Sequence, residues 1–233
     1  MLANCKFIEI ESQFHMNKHK NYKQEWFEFM GYKPHTGQLK LHYPEKDSAQ
    51  FFVMVCGRRF GKTTASAMEA TYIASQPNKK IWLVGLSYDK ADLMFREVWQ
   101  KMVIGRANDI ERASEKERYI KFKWGTTIEG KSADNPDSLV GEGLDLLIID
   151  EAAKVKKRIW DMYLSPTLSD RKGKAIFITT PEGYNWIYKI FLLGKSDALW
   201  ESHQAPSWNN QYAFPDGKKD QFLIERKRNM SKE

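Results

Sequence analysis

The chain has 233 residues, a formal net charge of +7 and only two cysteines, Cys5 and Cys56. That length holds one α/β domain with decorations or two small ones, and two cysteines so far apart make no disulfide framework. No apolar run reaches the ~18 residues a membrane span needs, and the first twenty residues lack the apolar centre of a signal peptide, so a soluble intracellular chain is expected; the positive charge permits a polyanionic partner without indicating one.

Residues 1–21 carry no hydrophobic period and read as an arm or cap, ahead of a domain spanning 22–233. A short helix is expected from Tyr22 to Met30, ending at Gly31. Tyr32-Lys33-Pro34-His35-Thr36-Gly37-Gln38 follows. A Gln at such a place is able to read adenine, accepting from N6 and donating to N7, and it is equally at home in an ordinary turn that starts a helix.

Phe51 to Val55 is an apolar run, Cys56-Gly57-Arg58-Arg59-Phe60-Gly61-Lys62-Thr63 is a loop, and Thr64 to Ser75 has helical spacing. Strand, glycine loop and helix in that order suit phosphate binding, because the loop turns backbone N–H groups inward and the new helix adds the positive end of its dipole. Lys62 is placed to reach the β- and γ-phosphates and the Thr63 hydroxyl to sit on Mg²⁺, with Gly57, Arg58, Arg59, Phe60, Gly61 and Thr64 completing the nucleotide-binding loop. Cys56 stands where this motif has its first Gly.

Ile81 to Leu86 reads as a second buried strand, and the helix predicted from Lys90 to Ile104 keeps Ala91, Met94, Phe95, Val98 and Met102 on one core-facing stripe. Asn108 to Arg118 is almost entirely charged and is expected to be a solvated loop or helix end. Tyr119 to Trp124 then alternates and turns at Gly125 into Thr126–Lys131, a hairpin pattern.

Leu144-Asp145-Leu146-Leu147-Ile148-Ile149-Asp150-Glu151 ends an apolar strand in two carboxylates. At the carboxyl end of a parallel strand, Asp150 is placed to hold Mg²⁺ through water and Glu151 to polarise the water that attacks a γ-phosphate. A strand end followed by a helix cap has the same composition; the preceding Gly-Lys-Thr loop favours the nucleotide reading. Ala175 to Ile178 ends in Thr179-Thr180-Pro181, where two hydroxyls are placed to sense the γ-phosphate, although Thr-Pro is also a routine strand terminator. A helix from Trp186 to Leu193, a strand from Leu199 to Ala205 and a basic helix from Lys218 to Glu233 complete the chain.

Together these residues resemble the ATPase domain of the large terminase subunit of tailed bacteriophages, from about Gly31 to the C-terminus. The resemblance rests on the segment around Gln38, Gly57–Thr63, Ser132–Leu139, Asp150-Glu151-Ala152-Ala153, Thr179–Gly183 and Trp208–Gln211. It implies an α/β fold of the P-loop type with an additional strand and a catalytic Glu, a mostly parallel central sheet flanked by helices, and a small lid subdomain over about 195–233. It also implies MgATP hydrolysis that drives double-stranded DNA into a procapsid, with a homo-oligomeric ring, portal protein and small terminase subunit as partners in the host cell cytoplasm. On this resemblance Gln38 reads adenine, Arg58 contacts the γ-phosphate in cis, and Thr179 and Thr180 couple hydrolysis to movement. Many members carry a trans-acting arginine at the position that is Val140 here; Arg106, Arg112 and Arg118 are conceivable substitutes, and nothing in the sequence selects among them. The chain ends where the family's nuclease would begin, so no DNA cleavage is expected of it.

Two other readings share these motifs. A superfamily 2 helicase also uses a Gln motif, Gly-Lys-Thr and Asp-Glu-Ala, but it needs a second α/β domain, which the roughly eighty residues after Glu151 cannot hold. A nucleotide-regulated assembly module with little turnover of its own is the non-enzymatic alternative.

Overall fold

The computed structural model describes residues 17–229, with side chains from 22 onward; the predicted arm before residue 17 and the last four residues of the predicted lid lie outside the described residues. Contacts group 1–33 and 34–233 into two units. In the first, helix α1 (Asn17–Phe29) begins five residues before the predicted Tyr22, and the Tyr32 ring meets Phe27 edge-on at 5.2 Å beyond its end.

The second unit is built on an eight-stranded sheet. Its strands are β1 (Phe51–Cys56), β2 (Lys80–Gly85), β3 (Ile110–Ser114), β4 (Tyr119–Phe122), β5 (Thr127–Ser132), β6 (Leu146–Asp150), β7 (Lys174–Thr179) and β8 (Trp200–Ala205), in the spatial order β3-β4-β5-β2-β6-β7-β1-β8. The pairs from β5 to β8 are all parallel; only β3–β4 and β4–β5 are antiparallel. Helices α2 (Thr36–His42), α3 (Lys62–Ala74), α4 (Tyr88–Trp99), α5 (Trp186–Ser196) and α6 (Gln221–Asn229) complete it. This bears out the expected mostly parallel sheet flanked by helices. The additional strand is β7, which lies between β1, leading into the glycine loop, and β6, ending in the carboxylates.

Because side chains alternate along a strand, the sheet has two distinct faces. Val53, Leu147, Ile149, Ala175 and Phe177 share a core cluster with Ile187 and Ile190 of α5 and with Trp160, Leu164 and Leu168 of the helical turns that follow β6. The alternate positions Leu146, Ile148 and Asp150 face the other way, and α3 packs against β6 and β7. Burial on both faces explains why these strands read as near-continuous apolar runs.

Two predicted elements differ. The charged stretch 108–118 contains β3, an edge strand whose Glu111 and Arg112 are exposed. No apolar alternation marks it; pairing with β4 and the 2.7 Å ion pair Lys121–Glu111 hold it. The helix predicted to reach Ile104 is α-helical only to Trp99 and continues as a single wider π turn, Gln100–Ile104.

Phe177 is fully buried, with its ring centroid 4.8 Å from Trp160 and 5.9 Å from Trp200. Phe177→Ala removes that hub, and the expected loss is about 3–5 kcal/mol in denaturant-induced unfolding, with no change in strand order.

Candidate nucleotide site

The loop from Cys56 to Thr63 joins β1 to α3. Arg59 (φ 60°) and Gly61 (φ 90°) adopt left-handed backbone conformations that fold it back on itself. Gly61 is the N-cap of α3 and provides no side-chain acceptor, so the first-turn N–H groups face the loop without a side-chain cap. Lys62 is buried, and its Nζ donates to the carbonyls of Cys56 at 2.9 Å and Gly57 at 3.1 Å. Burial pushes its pKa below the ordinary lysine value, while the charges of Glu151 and Asp150 act in the opposite direction. Cys56 serves the loop through its carbonyl; its residue is fully buried, which raises the thiol pKa to about 12. The missing first Gly therefore costs the loop nothing that its backbone needs.

The two halves of the site meet at one bond. Thr63 Oγ1 donates to Asp150 Oδ2 at 3.2 Å. The other carboxylate oxygen, Asp150 Oδ1, accepts from the Glu151 N–H at 2.8 Å. Asp150 is buried, and desolvation raises its pKa above the usual carboxylate range, with the charge of Glu151 adding to the rise. A hydroxyl and a carboxylate are hard oxygen donors, the set that Mg²⁺ takes while keeping most of its waters, so these two residues fit the ion. Glu151 sits in a left-handed conformation (φ 49°, ψ 43°) that a non-glycine residue adopts at a cost, and its Oε2 is buried without a hydrogen-bond partner.

Thr179 projects to the opposite face of the sheet from Asp150, yet its Oγ1 accepts from Ala153 N–H at 3.4 Å and donates to the Thr180 carbonyl at 3.1 Å. The hydroxyl thus ties the end of β7 to the segment that carries Glu151. Beside it a cavity of about 370 Å³ is lined by Val55, Ala153, Thr180, Phe191 and Gln204, among others.

Gln38 is held from both sides. Its Oε1 accepts from the His35 N–H at 3.1 Å, and its Nε2 donates to the Gly61 carbonyl at 2.9 Å. One N–H of the amide and one lone pair of the oxygen are left over from these two bonds. Arg58 is exposed. Arg59 lies over the Phe222 ring of α6 at 5.0 Å, and the Phe60 side chain is fully buried, edge-on to His35 at 4.8 Å, so these two contribute to the loop through their backbones. Thr64 Oγ1 donates to Glu97 of α4 at 3.0 Å. Burial raises the Glu97 pKa, with the charge of Asp150 also acting upward.

Four residues of the site carried no role in the sequence reading. Asn210 Nδ2 donates to the Arg59 carbonyl at 2.7 Å while its Oδ1 accepts from the N–H groups of Tyr212 and Ala213. Ser207 packs so close to Gly57 that a Cβ there would lie 2.2 Å from its Oγ. His35 Nδ1 accepts from Gly37 N–H, which leaves Nε2 to donate to the Phe60 carbonyl at 2.8 Å. Glu97 is the fourth. The Trp208–Gln211 motif contains Asn210 and the segment around Gln38 contains His35; nothing in the sequence pointed to Ser207 or Glu97.

A family model described as "Terminase large subunit, T4likevirus-type, N-terminal" matches residues 53–225. This chain belongs to the terminase large subunit family. The large terminase subunit of Thermus virus P23-45 is 33% identical over 195 residues, which cover 76% of this chain and 40% of that protein, and that of Escherichia phage T5 is 29% identical over 181 residues. The chain therefore spans about two fifths of the length of these curated relatives. Among solved structures, the large terminase ATPase domain of Thermus phage P74-26 superposes with a TM-score of 0.76 at 30% identity, covering 89% of this chain and 93% of that domain. The terminase chain thus shares its fold with an ATPase domain across nearly the whole of both.

Two outcomes follow from the loop. Asn210→Ala leaves the Arg59 carbonyl and two N–H groups unpaired, so amide exchange across Gly57–Lys62 should rise on the order of tenfold, read by hydrogen exchange with mass spectrometry. The buried, high-pKa Cys56 should resist iodoacetamide at pH 8 in the folded chain and be labelled in denaturant.

Proposed function

We propose that this chain binds MgATP and hydrolyses it as the ATPase module of a phage large terminase, the hydrolysis driving double-stranded DNA into a procapsid. The observation that carries the reading is the Thr63–Asp150 hydrogen bond beside Glu151, whose Oε2 is buried and unpartnered. The likeness to the P74-26 large terminase ATPase domain supports it.

In this scheme the loop N–H groups and the α3 N-terminus hold the phosphates, and Lys62 turns from the Cys56 and Gly57 carbonyls onto their oxygens. Thr63 and Asp150 hold Mg²⁺, which supplies charge neutralisation across the phosphates when bound. Glu151 Oε2 accepts a proton of the attacking water and orients its lone pair toward the γ-phosphorus. Arg58, exposed beside the loop, stabilises the charge on the γ-phosphate oxygens in cis. Gln38 uses its remaining N–H and lone pair on the adenine edge. Loss of the γ-phosphate is passed through Thr179, which is bonded to the segment after Glu151, to Thr180 and the loop that follows. DNA, portal, small subunit and a homo-oligomeric ring enter this reading as partners of the whole terminase.

A second reading, an assembly module that turns over slowly alone, draws on the arginines. Arg106 pairs with Asp109, Arg112 with Glu117 and Arg118 with Asp92, all within the chain, while the position of the family's trans arginine is Val140, which is exposed. ATPase rate per subunit measured against protein concentration separates the two: a rise supports the ring motor, a flat near-zero rate with tight ATP binding the module.

Glu151→Gln keeps the side chain's shape and removes its basicity. Turnover should fall on the order of a hundredfold or more while ATP affinity stays within a fewfold, measured by phosphate release and by binding calorimetry. Unchanged turnover would sink the water-positioning role.

A further inference from the structure

The hydrolysis scheme assigns no role to Glu97, a half-buried carboxylate bonded to the residue after Thr63. Glu97, on the last turn of α4, accepts a hydrogen bond from Thr64 Oγ1 at 3.0 Å. Thr64 adjoins Thr63, whose own hydroxyl is bonded to Asp150 at 3.2 Å. We propose that Glu97 is a positioning residue for nucleotide hydrolysis, fixing the first turn of α3 so that Thr63 stays on Asp150; this rests on the reading of the site as an ATPase.

Successive helical residues project about 100° apart around the axis. Thr63 is therefore anchored on the sheet side, to β6, and Thr64 on the α4 side. A second side-chain anchor about 100° from the first adds resistance to rotation of that turn about the helix axis, beyond what core packing and the bonds of Lys62 and Gln38 supply. Alternation along β6 places Asp150 on the face covered by α3, so a small rotation there moves the Thr63 hydroxyl away from its acceptor. The platform at the other end is itself held. Asp92 of α4 takes a bidentate contact from Arg118, whose guanidinium also stacks over Tyr88 at 4.7 Å. α4 is thereby clamped to the β4–β5 side of the sheet while Glu97 reaches back to the loop.

The chemistry of the position argues against simple packing. Glu97 stands next to the core stripe of Met94, Phe95 and Val98, and a carboxylate there gives up hydration for one hydroxyl donor, whereas an apolar side chain would pack without that cost.

The test uses this chain and begins with wild type, because absence of MgATP hydrolysis there, with or without binding, would overturn the ATPase reading, and the Glu97 role with it, before Glu97 is touched. Given an active wild type, Glu97→Ala and Thr64→Val should each lower kcat about tenfold with KM within about twofold. The double variant should be no slower than the slower single variant, since both remove the same bond. Glu97→Gln, whose amide oxygen accepts from the same hydroxyl, should return kcat to within about threefold of wild type. Additive losses, an unchanged kcat in folded Glu97→Ala, or a Glu97→Gln no better than Ala would each overturn the proposal. Where Glu97→Ala melts too early to assay, Thr64→Val and Glu97→Gln decide it.

Discussion

The hydrogen bond from Thr63 to Asp150 joins residues 87 apart in sequence, one in the first turn of the helix that follows β1 and the other at the end of β6, and those two strands are not neighbours. β7 separates them, and two inter-strand spacings of ~4.8 Å open a gap of roughly 10 Å between the end of β1 and the end of β6. The glycine loop crosses it by folding through two left-handed residues, so that the start of α3 arrives above β6 rather than above its own strand. Everything else at the site depends on that crossing: the Lys62 ammonium lies under the loop, and Glu151 follows the carboxylate that the loop reaches.

The bracing of the loop is layered. Gln38 and His35 bond to Gly61 and Phe60, Asn210 bonds to Arg59, and Ser207 packs closely against Gly57. Glycine at 57 and 61 is required for different reasons: at 61 by the positive φ, and at 57 because Ser207 fills the space a Cβ would need. The strain at Glu151 has the same origin. A left-handed residue directly after the strand swings the chain out of the sheet, and its Oε2 is left buried without a hydrogen-bond partner.

Much of this was legible from the residues alone, because the buried parallel strands are nearly continuous apolar runs and the chemistry sits at their ends. The glycine loop, Lys62, Thr63, Asp150 and Glu151 could be placed from composition and order. β3 could not, since Ile110–Ser114 buries none of its residues fully, lacks apolar alternation and is held as a strand by its partner. The left-handed Glu151 was equally invisible, as Glu has no preference for that conformation. Asn210 and Glu97 act through tertiary approach: each lies on an element with its own local signal, and nothing in that signal names the loop as its target. Gln38 was singled out through the family resemblance; its bond to His35 is a local cap of α2, whereas its bond to Gly61 follows from the close approach of α2 to the loop, which the residue pattern does not encode.

The Asn210–Arg59 contact spans 151 residues, and Ser207 meets Gly57 across a similar distance. During synthesis the loop, its lysine and even both carboxylates leave the ribosome well before the residues that lock them. A partly made chain therefore carries the full set of reactive groups on a loop that only His35 and Gln38 can brace. Competence arrives only when the last strand and the turn after it have folded onto β1, so the order of translation itself withholds the finished site until the domain is complete.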